Sequence, residues 1–150
     1  MNEPDARDVR DALDRAAIRE VQTRYAAGLD RRDWDMVRAC FTADARASYN
    51  GVAPAPGVEA IVEYVRTLEA LRSSMHAVSN VVADVDGDTA RCETVTVAYL
   101  VRDGGDGGEP VIIIRGLRYH DHMVRRDGRW LIAERVHAPE WMHEVRAQPL

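Results

Sequence analysis

The chain has 150 residues, enough for one domain with a single buried core, and its 46% hydrophobic and 30% charged residues are the composition of ordinary globular material. A formal net charge of −5 excludes the basic face that a nucleic acid or an anionic membrane would require, and the use of arginine for every positive charge reads as genomic composition bias. No apolar run approaches the ~20 residues that cross a bilayer, and the opening Met-Asn-Glu-Pro-Asp-Ala-Arg-Asp is too charged for a signal peptide, so the expected compartment is the cytoplasm.

Residues 1–10 are polar and are expected to fray. Over 11–29, Leu13, Ala17, Val21 and Tyr25 recur at every fourth position, with Ile18 and Leu29 widening the stripe. That is the period of a helix with one buried face. Gly28 loosens its last turn, which predicts an end at Leu29 or Asp30. Asp33 reads as the N-cap of a short second helix over 34–41. An extended piece over 46–50 and a Pro- and Gly-rich loop over 51–57 lead into a third helix over 58–71. Its inner face carries Ile61, Tyr64, Val65 and Leu68.

After Ser73 the period changes from 3.6 to 2, and strands are predicted over 75–85, 90–102, 111–125 and 129–141. They are separated by Asp86-Gly87-Asp88, a flexible glycine-rich loop over 103–109, and the hairpin signal Arg126-Asp127-Gly128. The glycine-rich loop has neither the strand-to-helix context nor the lysine of a phosphate cradle. The predicted class is α+β, with three N-terminal helices packed on one face of a mixed or antiparallel sheet. Long strands containing Gly116 will curl. A curled sheet closed by helices forms a cone around a cavity, the usual place for a small ligand. No repeat or linker divides the chain, which reads as a flexible start (1–10), one domain (11–142) and a tail (143–150). Cys40 and Cys92 have no motif around them and read as buried reduced thiols.

The candidate chemistry begins at Asp30. A carboxylate at a helix C-terminus is disfavoured by roughly 0.3–1 kcal/mol, so it is either solvated beside Arg31 and Arg32 or kept for proton transfer. His76 is the leading candidate base, because an imidazole near neutral pKa can take a proton from carbon and return it to a leaving hydroxyl. The other reading is a surface histidine beside Ser73 and Ser74. Tyr25 and Tyr49 are either packing and rim tyrosines or hydrogen-bond donors to a substrate carbonyl. Asp30 lies ~140° around an ideal helix from Tyr25, so both meet one cavity only if the helix ends or unwinds near Gly28.

On the predicted strand over 111–125, His120 and His122 share a face with Arg118, and no carboxylate completes a ligand set, so no metal site is assigned. Tyr119, Asp121 and Met123 take the opposite face with Arg115 and Leu117. Arg115, Tyr119 and Asp121 are therefore candidate substrate contacts, with a structural pairing of Asp121 to an arginine left open. His137, which shares a face of the last strand with Arg135, is a further substrate-binding candidate. Trp34, Trp130 and Trp141 read as core or interface aromatics.

The order of elements, with Ala17-Ile18, Tyr25-x-x-x-Leu29-Asp30, Asp33-Trp34-Asp35, Phe41-Thr42-x-Asp44-Ala45 and Gly57-x-Glu59-x-Ile61, resembles the nuclear-transport-factor-2-like superfamily. Met75-His76-x-x-x-Asn80, Gly87-Asp88-x-Ala90, Gly116-x-x-Tyr119-x-Asp121 and Arg126-Asp127-Gly128-x-Trp130 continue the likeness, which covers 11–142 and is strongest for the SnoaL-like and scytalone-dehydratase-like branch. The resemblance implies the cone fold. Scytalone dehydratases, bile-acid dehydratases and hexachlorocyclohexane dehydrochlorinases share an Asp–His dyad, and Asp30 and His76 fall on its positions; Tyr25 and Tyr49 resemble the assisting tyrosines of the dehydratases. The chain departs from them in having no second histidine over 99–101 and no arginine over 136–139.

Together these imply a lyase of dehydratase type, working without cofactor or metal on a small apolar cyclic or polyketide-type carbonyl compound. His76 would be base and then acid, Asp30 its orienting partner, and Tyr25 and Tyr49 the carbonyl-polarising donors. The alternatives are a SnoaL-like cyclase or isomerase, and a non-catalytic ligand-binding or assembly module. The resemblance further implies a homodimer formed through the sheet, with a trimer left open, while the net charge of −5 argues against a nucleic-acid or membrane partner.

Overall fold

Polar side chains share the buried face of the first helix, and this sets the whole packing. The structure, a computed structural model, describes residues 5–105 and 108–148; residues 1–4 of the expected flexible start, 106–107 of the expected loop and 149–150 of the expected tail lie outside it. Helix α1 (Ala6–Arg31) starts earlier than predicted because Asp5 caps it, accepting the Arg7 N–H. Its buried residues include Asp14, Ile18, Gln22, Tyr25 and Leu29, whereas Leu13, predicted inward, is 65% exposed and Ala17 is exposed too. The reason lies across the core. The Asp14 carboxylate accepts both Nη atoms of Arg125 at 2.7 Å and the Trp130 indole N–H at 3.1 Å. That pairing rotates the helix by one position relative to its apolar pattern. The hydrogen bond from Arg125 outweighs burial and lowers the Asp14 pKa.

Gly28 does not end α1. A Cβ there would stand 2.8 Å from Cγ2 of Val37 and 3.2 Å from the Asp33 carbonyl oxygen, so the glycine serves the close approach of α2 (Trp34–Arg38). The helix closes instead at Arg32, in the left-handed region at φ 56°, with the Asp33 N–H donating to the Gly28 carbonyl at 2.9 Å. Asp33 caps α2 as predicted, accepting the Met36 N–H at 2.9 Å. The predicted second helix is cut short by strand β1 (Phe41–Tyr49), which begins well before the extended piece expected over 46–50. Helix α3 (Val58–Val65) passes into a 3₁₀ segment (Arg66–Ala70) where one continuous helix was predicted.

Strands β2 (Ser73–Asp86), β3 (Thr89–Arg102), β4 (Val111–Arg126) and β5 (Arg129–Arg146) complete a five-stranded sheet in the order β1-β5-β4-β3-β2. β1 runs parallel to β5 and the other neighbours are antiparallel, so the sheet is mixed. β5 extends past its predicted end because Val111–Arg115 of β4 continue to pair with it as far as Arg146. Register shifts between Gly116 and Leu117 and between His122 and Met123 place extra residues in β5, and another falls at Val78/Val81 of β2. Such bulges bend and twist the strands that carry them. At the first of them Trp141 lies directly over Gly116, where an added Cβ would come within 2.1 Å of the indole.

The architecture is the predicted α+β cone, a curled mixed sheet with the helices against its concave face. Ile18, Val37, Ile61, Met123 and Ile132 are fully buried between them, each large aliphatic side chain contributing about 1.5–3 kcal/mol. Cys40 and Cys92 are buried free thiols, and desolvation pushes both pKa values up to about 11. Among the described residues no helix is long and apolar enough to cross a membrane.

Candidate active site

Asp30 sits on the last turn of α1 and His76 near the start of β2, and the two are in contact. Asp30 Oδ1 lies 2.6 Å from His76 Nδ1, and Oδ2 accepts the His76 backbone N–H at 2.8 Å. The Ser74 hydroxyl donates to Oδ1 at 2.9 Å and itself receives Arg32 Nη1 at 2.7 Å. Arg32 also donates to the Leu29 carbonyl at 2.5 Å, so the residue that terminates the helix also fastens its end to β2. Burial raises the Asp30 pKa, but the hydrogen bonds from the His76 ring, the His76 backbone and Ser74 outweigh it, and the net shift is downward. The carboxylate is therefore an ionised acceptor. Nδ1 of His76 must carry the proton, which leaves Nε2 as the basic nitrogen.

The condition set by helix geometry resolves differently from the expectation of an unwound end. α1 stays helical through Gly28, and Tyr25 and Leu29 line a cavity while Asp30 faces an outer groove with Ala27, Arg31 and Val78. His76 borders both spaces. Its imidazole, with a side chain only 6% exposed, bridges the carboxylate outside and the cavity inside.

The cavity has a volume of about 130 Å³. Tyr25 and Tyr49 both line it, their hydroxyls 3.0 Å apart. Tyr49 is 5% exposed, inside the cone rather than on its rim. Its ring stacks on Tyr64 at 5.1 Å, and the Tyr64 hydroxyl donates to the Tyr49 carbonyl at 3.4 Å. Burial raises the Tyr25 pKa and takes that of Tyr49 well above the ordinary value. Both phenols stay protonated and available as donors.

Arg115, Tyr119 and His137 also line the cavity. Tyr119 meets Tyr25 edge-on at 5.7 Å and His137 at 5.5 Å. Nδ1 of His137 is buried without a hydrogen-bond partner among the described residues. Burial, then the charges of Arg115, Arg135 and His76, lower its pKa and keep the ring neutral.

Asp121, read as a candidate substrate contact, is not one. Its side chain is 0% exposed and its oxygens accept Arg135 Nε at 2.8 Å, Arg135 Nη2 at 2.6 Å and Gln22 Nε2 at 2.9 Å. An inward carboxylate on a strand beneath a helix must be neutralised, and Arg135, two residues before His137, supplies the charge. The guanidinium lies 4.2 Å from the ring centres of both Tyr25 and Tyr119, a cation beneath the phenols. Sequence reasoning missed Gln22, Arg32 and Ser74. Only the spacing of Gln22 from Ile18 and Tyr25, on one helix face, could have marked it. His120 and His122 point outward and are exposed, and no group of three or more His, Cys, Asp or Glu among the described residues converges on a metal position.

The family model for the SnoaL-like domain matches residues 10–136. The chain belongs to the SnoaL-like family. Uncharacterized proteins of Mycobacterium bovis and Mycobacterium tuberculosis are 28% identical to this SnoaL-like domain over 130 residues, 85% of its length and 86% of theirs. Among solved structures, a putative scytalone dehydratase of Novosphingobium aromaticivorans superposes with a TM-score of 0.77 at 22% identity, covering 92% of this chain and 91% of that one. The hexachlorocyclohexane dehydrochlorinase LinA-type3 of Novosphingobium barchaimii superposes at 0.81 and 18% identity, covering 95% and 99%. These likenesses show a shared nuclear-transport-factor-2-like fold.

Proposed function

We propose that this SnoaL-like domain is an acid–base lyase of dehydratase type acting on a small cyclic carbonyl compound. The observation that carries the reading is the placement of His76. Its Nδ1 is held by an ionised Asp30, and its ring borders a cavity walled by phenols and apolar side chains. In the proposed step Nε2 takes the proton from the carbon next to the carbonyl, and the electron pair forms a carbon–carbon double bond as the hydroxyl on the following carbon departs. The imidazolium returns the same proton to that hydroxyl, so the products are the unsaturated carbonyl compound and water. Asp30 stabilises the transient imidazolium without itself taking the proton, the part an acid plays behind a catalytic histidine. The Tyr25–Tyr49 pair supplies a hydrogen bond to the carbonyl oxygen as negative charge grows on it, where a single donor is worth about 3 kcal/mol.

The size of the cavity supports one ring over a fused polyketide: an apolar cavity of about 150 Å³ is filled by benzene. The comparisons with a dehydratase and a dehydrochlorinase are in keeping with elimination chemistry. The Asp30–His76 contact favours an enzyme over a binding module, which has no need of an oriented imidazole. A cyclase or isomerase would use the same proton abstraction without losing water.

The test is twofold. A panel of single-ring β-hydroxy ketones, each with and without a ring carboxylate, is followed for the ultraviolet absorption of the enone product. The exchange of α-protons of cyclohexanone in D₂O is followed by NMR. Exchange with enone formation is the expected result; exchange without it would move the assignment to an isomerase or cyclase. Absence of both, or full activity in His76→Ala, would overturn the acid–base reading.

A further inference from the structure

Arg115 is the half-buried arginine whose guanidinium finds no hydrogen bond and no ion pair among the described residues. The other arginines at comparable depth are all partnered: Arg32 with Ser74, Arg38 with Glu59, Arg118 with Glu93 and Glu140, Arg125 with Asp14, and Arg135 with Asp121. Arg115 projects from the concave face of β4 with Leu117 and Tyr119, and it stands where the cavity joins a groove walled by Asn50, Pro139 and Trp141. Glu140 lies along that groove, but its carboxylate already accepts Arg118 Nε at 2.6 Å. Among the described residues no aspartate or glutamate lines the cavity.

A guanidinium cannot shed its proton, so the charge persists, and partial removal from water is unfavourable unless a counter-charge offsets it. His137 also lines the cavity, with its ring neutral, and so supplies no counter-charge. A fixed cation with no partner among the described residues, at the edge of a cavity of about 130 Å³ that no carboxylate lines, describes a ligand that is anionic there. The planar fork of an arginine matches the two oxygens of a carboxylate. A volume of this size is filled by one ring, so the charged group of such a ligand would lie in the adjoining groove that Arg115 and Asn50 also line.

We propose that the ligand of this cavity is a single-ring carboxylate whose two oxygens pair with the Arg115 guanidinium while the ring extends toward Tyr49 and His76. Resting on the reading of the cavity as the substrate site, this assigns the substrate class: a cyclic carbonyl compound bearing a carboxylate. The anion anchors the ring at the β4 end and presents the reacting carbon to Nε2 of His76.

The experiment is calorimetric titration of the purified protein with benzoate and cyclohexanecarboxylate against benzamide and cyclohexanecarboxamide, at low and moderate salt, in wild type, Arg115→Met and Arg115→Lys. The wild type is expected to prefer each carboxylate over its amide by roughly 10- to 100-fold, the range of a charge-assisted hydrogen bond. Arg115→Met should lose that preference, and Arg115→Lys should keep part of it, since an ammonium retains the charge without the fork. Failure of both carboxylates to bind, equal binding of amide and acid, or a preference that survives in a folded Arg115→Met would overturn the proposal. Binding is read here without turnover. An inactive or fully active His76→Ala thus bears on proton transfer alone, and a missing carboxylate preference bears on the anion site alone.

Discussion

Asp30 holds His76 at two points, taking the ring Nδ1–H on one oxygen at 2.6 Å and the backbone N–H of the same residue on the other at 2.8 Å. The carboxylate therefore fixes the position of the strand and the tautomer of the ring together. Asp30→Asn keeps the shape but turns one of these oxygens into an NH₂ donor facing a donor. Turnover is expected to fall by about 10²–10⁴-fold, the span of a positioned acid–base group, and His76→Ala should lose at least as much. Steady-state kinetics with circular dichroism as a fold control checks both. An Asp30→Asn enzyme as fast as wild type would remove Asp30 from the mechanism.

The two phenols facing the cavity share one hydrogen bond at 3.0 Å, so they act as a unit. Tyr25→Phe and Tyr49→Phe are each expected to lower kcat by about 10²-fold, near the ~3 kcal/mol of one donor. The double variant should cost clearly less than the sum of the two, because each single change already disrupts the pair. Strict additivity in the double-mutant cycle would mean that the tyrosines work separately.

Asp121 carries stability instead of affinity. Asp121→Ala would leave Arg135 charged and fully buried without a counter-ion, and the expected loss is about 3–5 kcal/mol in equilibrium urea unfolding. A variant that unfolds at the wild-type midpoint but binds substrate more weakly would return Asp121 to the site.

Three side chains make the fold sensitive to acid, in two separate windows. The neutral His137 has its pKa lowered below 6.5 by burial and neighbouring charges. The unfolded chain thus binds a proton that the folded chain refuses, and stability falls as pH drops through and below 6.5. The depressed pKa values of Asp30 and Asp14 act further down: their contribution is full above the ordinary value of 3.8 and is lost as pH falls through the lowered one. Thermal unfolding against pH should therefore lose its slope between neutrality and pH 5 in His137→Gln, and the deficit of Asp30→Asn relative to wild type should shrink only under stronger acid. An unchanged upper slope in His137→Gln would show that the ring is protonated in the fold.

Gly28 makes the meeting of α1 and α2 possible. Alanine is the better helix former by roughly 0.5–1 kcal/mol. Even so, Gly28→Ala is expected to destabilise by about 1–3 kcal/mol, because the new methyl overlaps Val37 and crowds the Asp33 carbonyl. Differential scanning calorimetry reads the outcome, and a stabilised Gly28→Ala would show that the two helices part without cost.

Much of this molecule was legible along the chain. The change of period after Ser73, the Asp33 cap and the Asp127-Gly128 turn each depend on neighbours a few residues apart, and each appears in the structure. The faces of β4 followed from strict alternation, with Tyr119 and Met123 in and His120 and His122 out. The face of α1 did not follow from its apolar pattern, because Asp14 and Gln22 are inward for reasons held by Arg125 and Asp121, elements away in sequence.

The sequence by itself determined the order of elements and the α+β class, since local period, caps and turn residues carry that information over short distances; it marked Asp30, His76, Tyr25 and Tyr49 as candidates through their resemblance to a known family. Only the tertiary structure decided that His76 bridges a carboxylate outside the cavity to a space inside it, that Asp121 belongs to Arg135, and that Arg115 faces the cavity unpaired among the described residues. Those are pairings of charge across strands and helices. A buried charge takes its role from the group that packing brings to meet it, and Gln22 and Asp121, 99 residues apart, become partners only when the helix lies across the sheet.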